Sequence, residues 1–206
     1  MESHSSPASP GEFYFLEFSA QMKEMDRFDD TIDEILEHSA LPAEARLLVV
    51  TSPSGTGKTS WCLELSRRAK ASGLAVGGLV SPAVFEHGEK IGIDLLDLAS
   101  GELKRLASPR QGRSAMYSGR HWHLDPQVLA WGNGILARLE GCRLLILDEL
   151  GALELCENQG LTNGLDLLAS RNYTQACVVI RPSLLTNALE RWPWAQVFQT
   201  VGLQQP

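Results

Sequence analysis

The sequence has few cysteines, and the four that occur are placed singly along 206 residues: Cys62, Cys142, Cys156 and Cys177. No C-x-x-C pair accompanies them and no histidine lies at zinc-ligand spacing, which argues against a disulfide framework or a structural zinc site. Three of the four lie in apolar surroundings, where a reduced cysteine behaves as a small hydrophobic residue. We therefore expect a reducing, cytoplasmic location.

Long hydrophobic runs are also missing from the chain. No apolar stretch approaches the roughly 20 residues that a membrane-spanning helix requires. The N-terminus lacks a basic start followed by an apolar run, so we expect no secretory signal peptide. The sequence therefore argues against a membrane protein.

Positive charge is scarce at the start of the chain. Residues 1–44 hold eleven acidic and two basic side chains, a net charge of −9, whereas the whole chain carries −7. The remaining residues therefore carry +2, which is too little to attract nucleic acid through the overall field of the protein. Any anionic ligand must be bound by a local site.

Residues 1–44 are expected to form a disordered leader followed by an acidic amphipathic helix at 21–38. The helix is predicted from apolar residues at helical spacing, namely Met25, Phe28, Ile32, Ile35 and Leu36. This apolar stripe would either pack on its own domain or dock onto a protein partner or a second subunit.

Residues 45–206 are expected to form one domain in which strands and helices alternate. Apolar runs such as "RLLVVTS" and "CRLLILDEL" are separated by helical segments. That order is typical of an α/β fold with a mostly parallel sheet and helices on both faces. Local signals add a C-terminal helix cap at Gly73, a helix N-cap at Asp125, a hairpin turn at Ser100-Gly101 and an exposed loop at 107–121.

A glycine-rich stretch, "TSPSGTGKTS" at 51–60, follows the first predicted strand and precedes a predicted helix. It matches the phosphate-loop pattern G-x-x-x-x-G-K-[ST], except that Ser52 replaces the first glycine. Such a loop points backbone amides at phosphate oxygens, and the helix N-terminus adds a favourable field. The predicted nucleotide-binding residues are Ser52, Pro53, Ser54, Gly55, Thr56, Gly57, Lys58, Thr59 and Ser60.

Three of these residues have specific predicted roles. Lys58 would reach the β- and γ-phosphates, Thr59 would bind Mg²⁺ through its hydroxyl, and Ser60 would contact the α-phosphate. Ser52 is an acceptable replacement for glycine if its φ is below zero.

An acid pair follows the apolar run "LLILDE" at 144–149. Magnesium bound with a nucleotide needs a carboxylate at the end of a neighbouring buried strand, and Asp148 fits that requirement. Glu149 would orient and deprotonate the attacking water. The alternative is that both acids only begin a loop or cap a helix.

Several arginines have two interpretations each. Arg181 ends the predicted strand "ACVVIR", where it would neutralise charge at the γ-phosphate or would be an ordinary surface residue. Arg110, Arg113 and Arg120 would form a lid or an arginine finger, or only a solvated loop. The predicted catalytic residues are Glu149, Lys58 and Arg181.

Three segments resemble the small P-loop nucleoside-triphosphatases described from thermophiles, whose human member is called the cancer-related nucleoside-triphosphatase. They are "SPSGTGKTS", "GGLVSP" followed by "GEKIGIDLLDLASGE", and "LDELGALEL" at 147–155. The second segment is similar to the R/K-x-G-F/I-D hairpin of the family, and the third to its D-E-I-G-P-M-E-L signature. The resemblance covers roughly residues 46–200.

This resemblance implies a RecA-like domain and slow, Mg²⁺-dependent hydrolysis of several nucleoside triphosphates. Lys58, Thr59, Asp148 and Glu149 fall on its motif positions, and so does Glu154, which would fix the loop after Glu149 or face water. The chain departs from the family at Ser52, at Ala152 where proline is common, and in its acidic leader.

Three functions follow from these observations. The first is a nucleoside-triphosphatase with no nucleic-acid or membrane partner. The second is a small-molecule or nucleotide kinase, in which the segment 110–120 would be a lid. The third is a nucleotide-dependent switch or assembly factor that acts through the helix at 21–38.

Overall fold

The computed structural model describes residues 29–41, 44–109 and 122–199. Its strands are β1 (Arg46–Thr51), β2 (Val76–Val80), β3 (Ala83–Glu86), β4 (Glu89–Asp97), β5 (Leu103–Pro109), β6 (Trp122–Leu124), β7 (Cys142–Leu147), β8 (Tyr173–Val179) and β9 (Gln196–Gln199). Its helices are α1 (29–40), α2 (Lys58–Ala71), α3 (Pro126–Leu136), α4 (Ala152–Leu155), α5 (Thr162–Ser170) and α6 (Leu185–Arg191), the last preceded by the 3₁₀ turn Pro182–Leu184.

Some predictions lie outside the described residues. These are the leader and the first part of the helix at 21–38, with Met25 and Phe28, and the three loop arginines Arg110, Arg113 and Arg120. The loop predicted at 107–121 is wrong at its start, because β5 continues to Pro109 and pairs with β6.

The strands form one sheet in the order β6-β5-β4-β2-β7-β8-β1-β9, and β3 pairs with β4. The part of the sheet with the order β2-β7-β8-β1-β9 is parallel throughout. Strands β3, β4, β5 and β6 form an antiparallel extension on the other side of β2. The predicted α/β architecture is confirmed. The sequence indicated only one hairpin of the antiparallel part.

The order of the central strands corrects one expectation. We expected the phosphate loop after β1 and the acid pair after β7 to follow adjoining strands, but β8 lies between β1 and β7. All three strands are parallel, so their carboxyl ends meet at the same edge of the sheet. The segment that follows β8, which includes Arg181, is therefore brought between the loop and the acids.

Helices cover both faces of the parallel strands. In β7, Leu144 and Ile146 join the apolar cluster on the side of α1 and α2, whereas Leu145 and Leu147 join the cluster on the side of α3 and α5. Full burial of such a side chain stabilises the fold by about 1.5–3 kcal/mol. A strand buried on both faces is apolar at every position, which explains the continuous run in the sequence.

The helix α1 packs on its own domain. Ile32 and Ile35 are buried in the cluster that contains Trp61 of α2, and Arg68 of α2 pairs with Asp29 at 3.0 Å. For residues 29–40 the structure therefore bears out the first of the two interpretations. The acidic side chains of the helix remain on its exposed face.

The predicted helix caps are confirmed. The Asp125 carboxylate accepts hydrogen bonds from the backbone N–H of Gln127 at 2.8 Å and of Val128 at 3.4 Å, at the start of α3. Gly73 follows the end of α2 with a φ of 76°, a conformation that glycine adopts without strain. Among the described residues, no helix combines the length and the hydrophobicity needed to cross a bilayer.

Candidate active site

The loop between β1 and α2 contains two glycines in the left-handed conformation. Gly55 has a φ of 81° and Gly57 a φ of 82°, in the left-handed region that other residues rarely adopt. A Cβ at either position would meet no described atom within 4 Å, so space lies in front of the loop. Consecutive amides in such turns form concave anion sites, and the N-terminus of α2 begins directly behind them.

Ser52 stabilises this loop through its side chain. Its side chain is buried, and its hydroxyl lies 2.5 Å from the Thr56 hydroxyl. Thr56 donates to the Pro53 carbonyl at 2.9 Å, so Ser52 is the donor to Thr56. Ser52 does not have a positive φ, and the replacement of glycine is therefore tolerated.

Lys58 lies against the loop at the first position of α2. Its ammonium donates to the carbonyl oxygens of Ser52 at 2.9 Å and Pro53 at 2.6 Å. Burial lowers the pKa of Lys58, whereas the carboxylates of Glu149 and Asp148 act to raise it. The predicted phosphate-binding lysine therefore lies within electrostatic reach of the predicted acid pair.

Thr59 and Asp148 lie close together, although they follow different strands. The Thr59 side chain lies close enough to Asp148 to lower the pKa of its carboxyl group, and the backbone N–H of Ser81 donates to Asp148 Oδ2 at 3.2 Å. Burial is the largest effect on Asp148 and raises the pKa of its carboxyl group to about 6, although Thr59 and Ser81 act to lower it. Such a desolvated carboxylate gains from a bound cation.

The donor atoms of this pair fit Mg²⁺. A hydroxyl and a carboxylate are oxygen ligands, and magnesium usually takes only one or two protein ligands together with phosphates and water. Within the part of the chain that the structure describes, no group of three or more His, Cys, Asp or Glu side chains could hold a metal alone. A hydroxyl and a carboxylate suit a metal whose other ligands are phosphates and water.

Glu149 and Arg181 form an ion pair beside Asp148. The guanidinium Nε of Arg181, which follows β8, donates to the Glu149 carboxylate. Glu149 has a φ of 65°, a conformation that costs a non-glycine residue about 1–3 kcal/mol and is typical of functional sites. Both side chains are partly exposed, so water reaches this pair.

Glu154 fixes the loop that follows Glu149, as one of its two interpretations predicted. Its buried carboxylate accepts hydrogen bonds from the backbone N–H of Gly151 at 2.8 Å and of Leu161 at 2.9 Å. A Cβ on Gly160, which has a φ of 73°, would collide with this carboxylate. The remaining loop residues, Pro53, Ser54 and Gly55, and Ser60 on α2 are exposed.

Lys90 on β4 was not among the predicted site residues. Both Glu149 and Arg181 contribute to the electrostatic environment of its ammonium. The sequence signal was present, because Lys90 occupies the R/K position of the hairpin motif noted above. The spacing of residues along the sequence gave no reason to expect Lys90 near the acid pair.

Comparisons with known proteins place the chain in a family. A family model described as NTPase matches residues 47–199. The chain is 32% identical to nucleoside-triphosphatase THEP1 of Methanopyrus kandleri over 54% of its own length and 61% of the relative. It is 30% identical to THEP1 of Pyrobaculum islandicum over 78% of its length and 95% of the relative. The chain thus spans less than two thirds of the first relative and nearly all of the second.

Two solved structures share the fold. The solution structure of a human cancer-related nucleoside triphosphatase has a TM-score of 0.56 at 23% identity, over 75% of this chain and 88% of that one. The crystal structure of THEP1 from Aquifex aeolicus has a TM-score of 0.54 at 19% identity, over 76% and 90%. The predicted P-loop fold is confirmed.

Proposed function

Because the chain belongs to the NTPase family, we propose that it is a Mg²⁺-dependent enzyme that hydrolyses ATP, GTP and other nucleoside triphosphates to the diphosphate and phosphate. The single observation that carries the proposal is the position of the buried Asp148 carboxylate, which lies close enough to interact with Thr59 and Lys58 at the end of the phosphate loop. This position brings the acid pair to the end of the phosphate loop, which is the arrangement that a magnesium–triphosphate requires.

Binding would use the loop and the start of α2. The amides around Gly55 and Gly57 and the N-terminus of α2 would bind phosphate oxygens. Lys58 would exchange its carbonyl contacts for the β- and γ-phosphates, and Ser60 would bind the α-phosphate. These contacts involve only phosphates, which supports activity on more than one nucleoside triphosphate.

The metal would be held by Thr59 and by Asp148. When bound, Mg²⁺ would neutralise charge on the phosphate oxygens. The hydrogen bond from Ser81 fixes the orientation of the Asp148 carboxylate. Burial keeps water from competing for its oxygens, which strengthens its attraction for a cation.

Hydrolysis would use Glu149 as the base. Glu149 accepts a proton from water while the water oxygen bonds to the γ-phosphorus, and the bond from that phosphorus to the bridging oxygen breaks. The diphosphate takes the electron pair of the broken bond. Arg181 and Lys58 balance the charge on the transferring group. The partly exposed position of Glu149 supports water as the acceptor over a kinase substrate.

The remaining partners follow from charge and burial. The proposal includes no nucleic acid and no membrane, because residues 45–206 carry a net charge of only +2. It assigns the enzyme to the cytoplasm. A protein partner that binds the described part of the helix, 29–38, would have to use its acidic face, since Ile32 and Ile35 pack against α2.

The test compares phosphate release by the wild type, Glu149→Gln and Glu157→Gln, with and without Mg²⁺. The exposed Glu157 is a matched control. We expect Glu149→Gln to lose about 10²-fold or more of kcat while nucleotide binding persists, and Glu157→Gln to behave as wild type. Equal rates for wild type and Glu149→Gln would overturn the assigned base. A requirement for an acceptor molecule before ADP forms would indicate a kinase.

A further inference from the structure

The antiparallel extension of the sheet begins at the candidate active site. Ser81, which donates its backbone N–H to Asp148, follows β2 directly, and β3 starts two residues later at Ala83. The hairpin formed by β3 and β4 pairs Phe85 with Lys90. A short stretch of chain therefore links the acid pair to Lys90.

The Lys90 side chain is held on an aromatic ring. Its ammonium lies 5.2 Å from the centre of the Trp122 ring, in a cation–π contact with β6. Two separate strands thus fix its position. Such a contact restricts the long lysine side chain and lowers the entropy cost of binding a ligand there.

The charge around Lys90 is not balanced by a carboxylate in contact. Among the described residues, none of the ion pairs involves Lys90, although its side chain is partly buried. Burial lowers the pKa of Lys90, Glu149 acts to raise it, and Arg181 acts to lower it. Each of the three cations Lys58, Lys90 and Arg181 interacts electrostatically with Glu149, and with Asp148 beside Glu149 these five side chains have one positive charge in excess.

A bound anion would remove this imbalance. The β3–β4 hairpin, which carries Lys90, continues past the carboxyl end of β2, at the edge of the sheet where Asp148 and the proposed phosphate site lie. Charge on the transferring phosphoryl group is spread over its oxygens in the transition state, and cations fixed beforehand stabilise it without reorganisation.

We propose that Lys90 is a further phosphate-binding residue, which contacts the terminal phosphate of the nucleotide and stabilises its charge during transfer. The inference rests on the proposed function and extends it to the antiparallel extension. It also predicts selectivity for triphosphates over diphosphates, because only a triphosphate offers a γ-phosphate to Lys90.

Lys104 provides a matched control on the same extension. Its ammonium lies 4.5 Å from the centre of the Trp131 ring, so it makes the same kind of aromatic contact. It also pairs with Glu102 at 3.1 Å, which balances its charge. A purely structural lysine on this surface is therefore available for comparison.

The experiment measures phosphate release and the calorimetric affinities for Mg²⁺–ADP and for a Mg²⁺-bound, non-hydrolysable ATP analogue. We expect Lys90→Met to lower kcat on the order of 10²-fold. The same variant should lower the affinity for the analogue by about tenfold or more and leave the affinity for ADP unchanged. Lys90→Arg should recover most of both losses, and Lys104→Met should match wild type. Thermal unfolding checks each variant, and Lys90→Gln replaces Lys90→Met if that variant does not fold.

The outcomes separate the two proposals. An unchanged preference for the triphosphate analogue in Lys90→Met, or an equal loss for both nucleotides, would overturn the role of Lys90. If the wild type binds the analogue but releases no phosphate, the hydrolase proposal fails while the affinity ratio still tests Lys90. If the wild type binds neither nucleotide, both proposals fall.

Discussion

Arg181 and Glu149 are joined as an ion pair at the carboxyl ends of β8 and β7. The proposed base and a proposed phosphate-binding cation are therefore paired with each other. A terminal phosphate bound beside them would compete with Glu149 for the guanidinium and would leave the carboxylate available to water. Substrate binding and activation of the base would be linked through this one contact.

Replacing Arg181 tests this link. Arg181→Ala should lower kcat by about 10²–10³-fold, since a cation that acts in the transition state is lost. Its pair with Glu149 is exposed by 55% and 36%, so the free energy of unfolding should fall by no more than about 1 kcal/mol. Steady-state kinetics and urea unfolding measure the two effects. Arg138→Ala, on an exposed arginine, is the control, and an unchanged kcat in Arg181→Ala would contradict the role.

Asp148→Asn should stabilise the protein when no divalent cation is added. Burial raises the pKa of Asp148 from 3.8 to about 6, so the folded state binds more protons than the unfolded state between these values. Stability therefore falls as the pH rises through this window, by on the order of 3 kcal/mol at most. An asparagine carries no charge and avoids that loss.

The measurement is the free energy of unfolding from pH 4 to pH 7.5. The advantage of Asp148→Asn should be largest above pH 6 and should vanish near pH 4, while phosphate release is abolished. The exposed Asp166→Asn on α5 should give no comparable gain. A pH-independent difference between Asp148→Asn and wild type would contradict the prediction.

Gly160→Ala should destabilise the protein and loosen the loop after Glu149. The new Cβ collides with the Glu154 carboxylate and also sits at a φ of 73°. Gly141→Ala is a matched control, because Gly141 has a φ of 58° but open space around it. Both variants should lose about 1 kcal/mol from backbone strain, and Gly160→Ala should lose about 1–3 kcal/mol more.

Thermal unfolding and phosphate release measure these two effects. Only Gly160→Ala should lower kcat, because its new Cβ displaces the Glu154 carboxylate that holds Gly151 and Leu161 on either side of α4. Equal losses of stability in the two variants would show that the carboxylate moves aside at no cost.

Ser52→Gly, which restores the usual phosphate-loop residue, should destabilise this chain. The variant loses the hydrogen bond to Thr56 and adds backbone freedom, so we expect a loss of about 1–2 kcal/mol in the free energy of unfolding. Ser54→Gly in the exposed part of the loop is the control for stability. A gain of stability in Ser52→Gly would show that the serine is only tolerated.

Local patterns in the sequence predicted much of the site. The loop from Ser52 to Gly57 is specified by glycines that alone adopt its left-handed turns, and the N-cap at Asp125 by a side chain that reaches its own backbone. The fourfold apolar run before Asp148 identified a strand buried on both faces. Each signal depends on neighbours within one element.

Contacts between elements were beyond the sequence. The insertion of β8 between β1 and β7, the ion pair of Arg181 with Glu149 and the position of Lys90 all depend on strand order. The choice between two interpretations of Glu154 depended on Gly151 and Leu161, which lie on opposite sides of a helix. Apolar strands pair in many orders with similar burial, so their composition does not select one.

The amino-acid sequence by itself determined the phosphate loop, the acids and the alternation of strands and helices, because backbone conformation and burial pattern depend on residues that are close together in the sequence. Only the tertiary structure decided that Thr59 lies close to Asp148, that Arg181 pairs with Glu149, and that Lys90 lies within electrostatic range of both. These residues come together because the parallel strands end at one edge of the sheet and the β3–β4 hairpin lies at the same edge. Packing between such distant segments cannot be predicted from the spacing of residues along the chain.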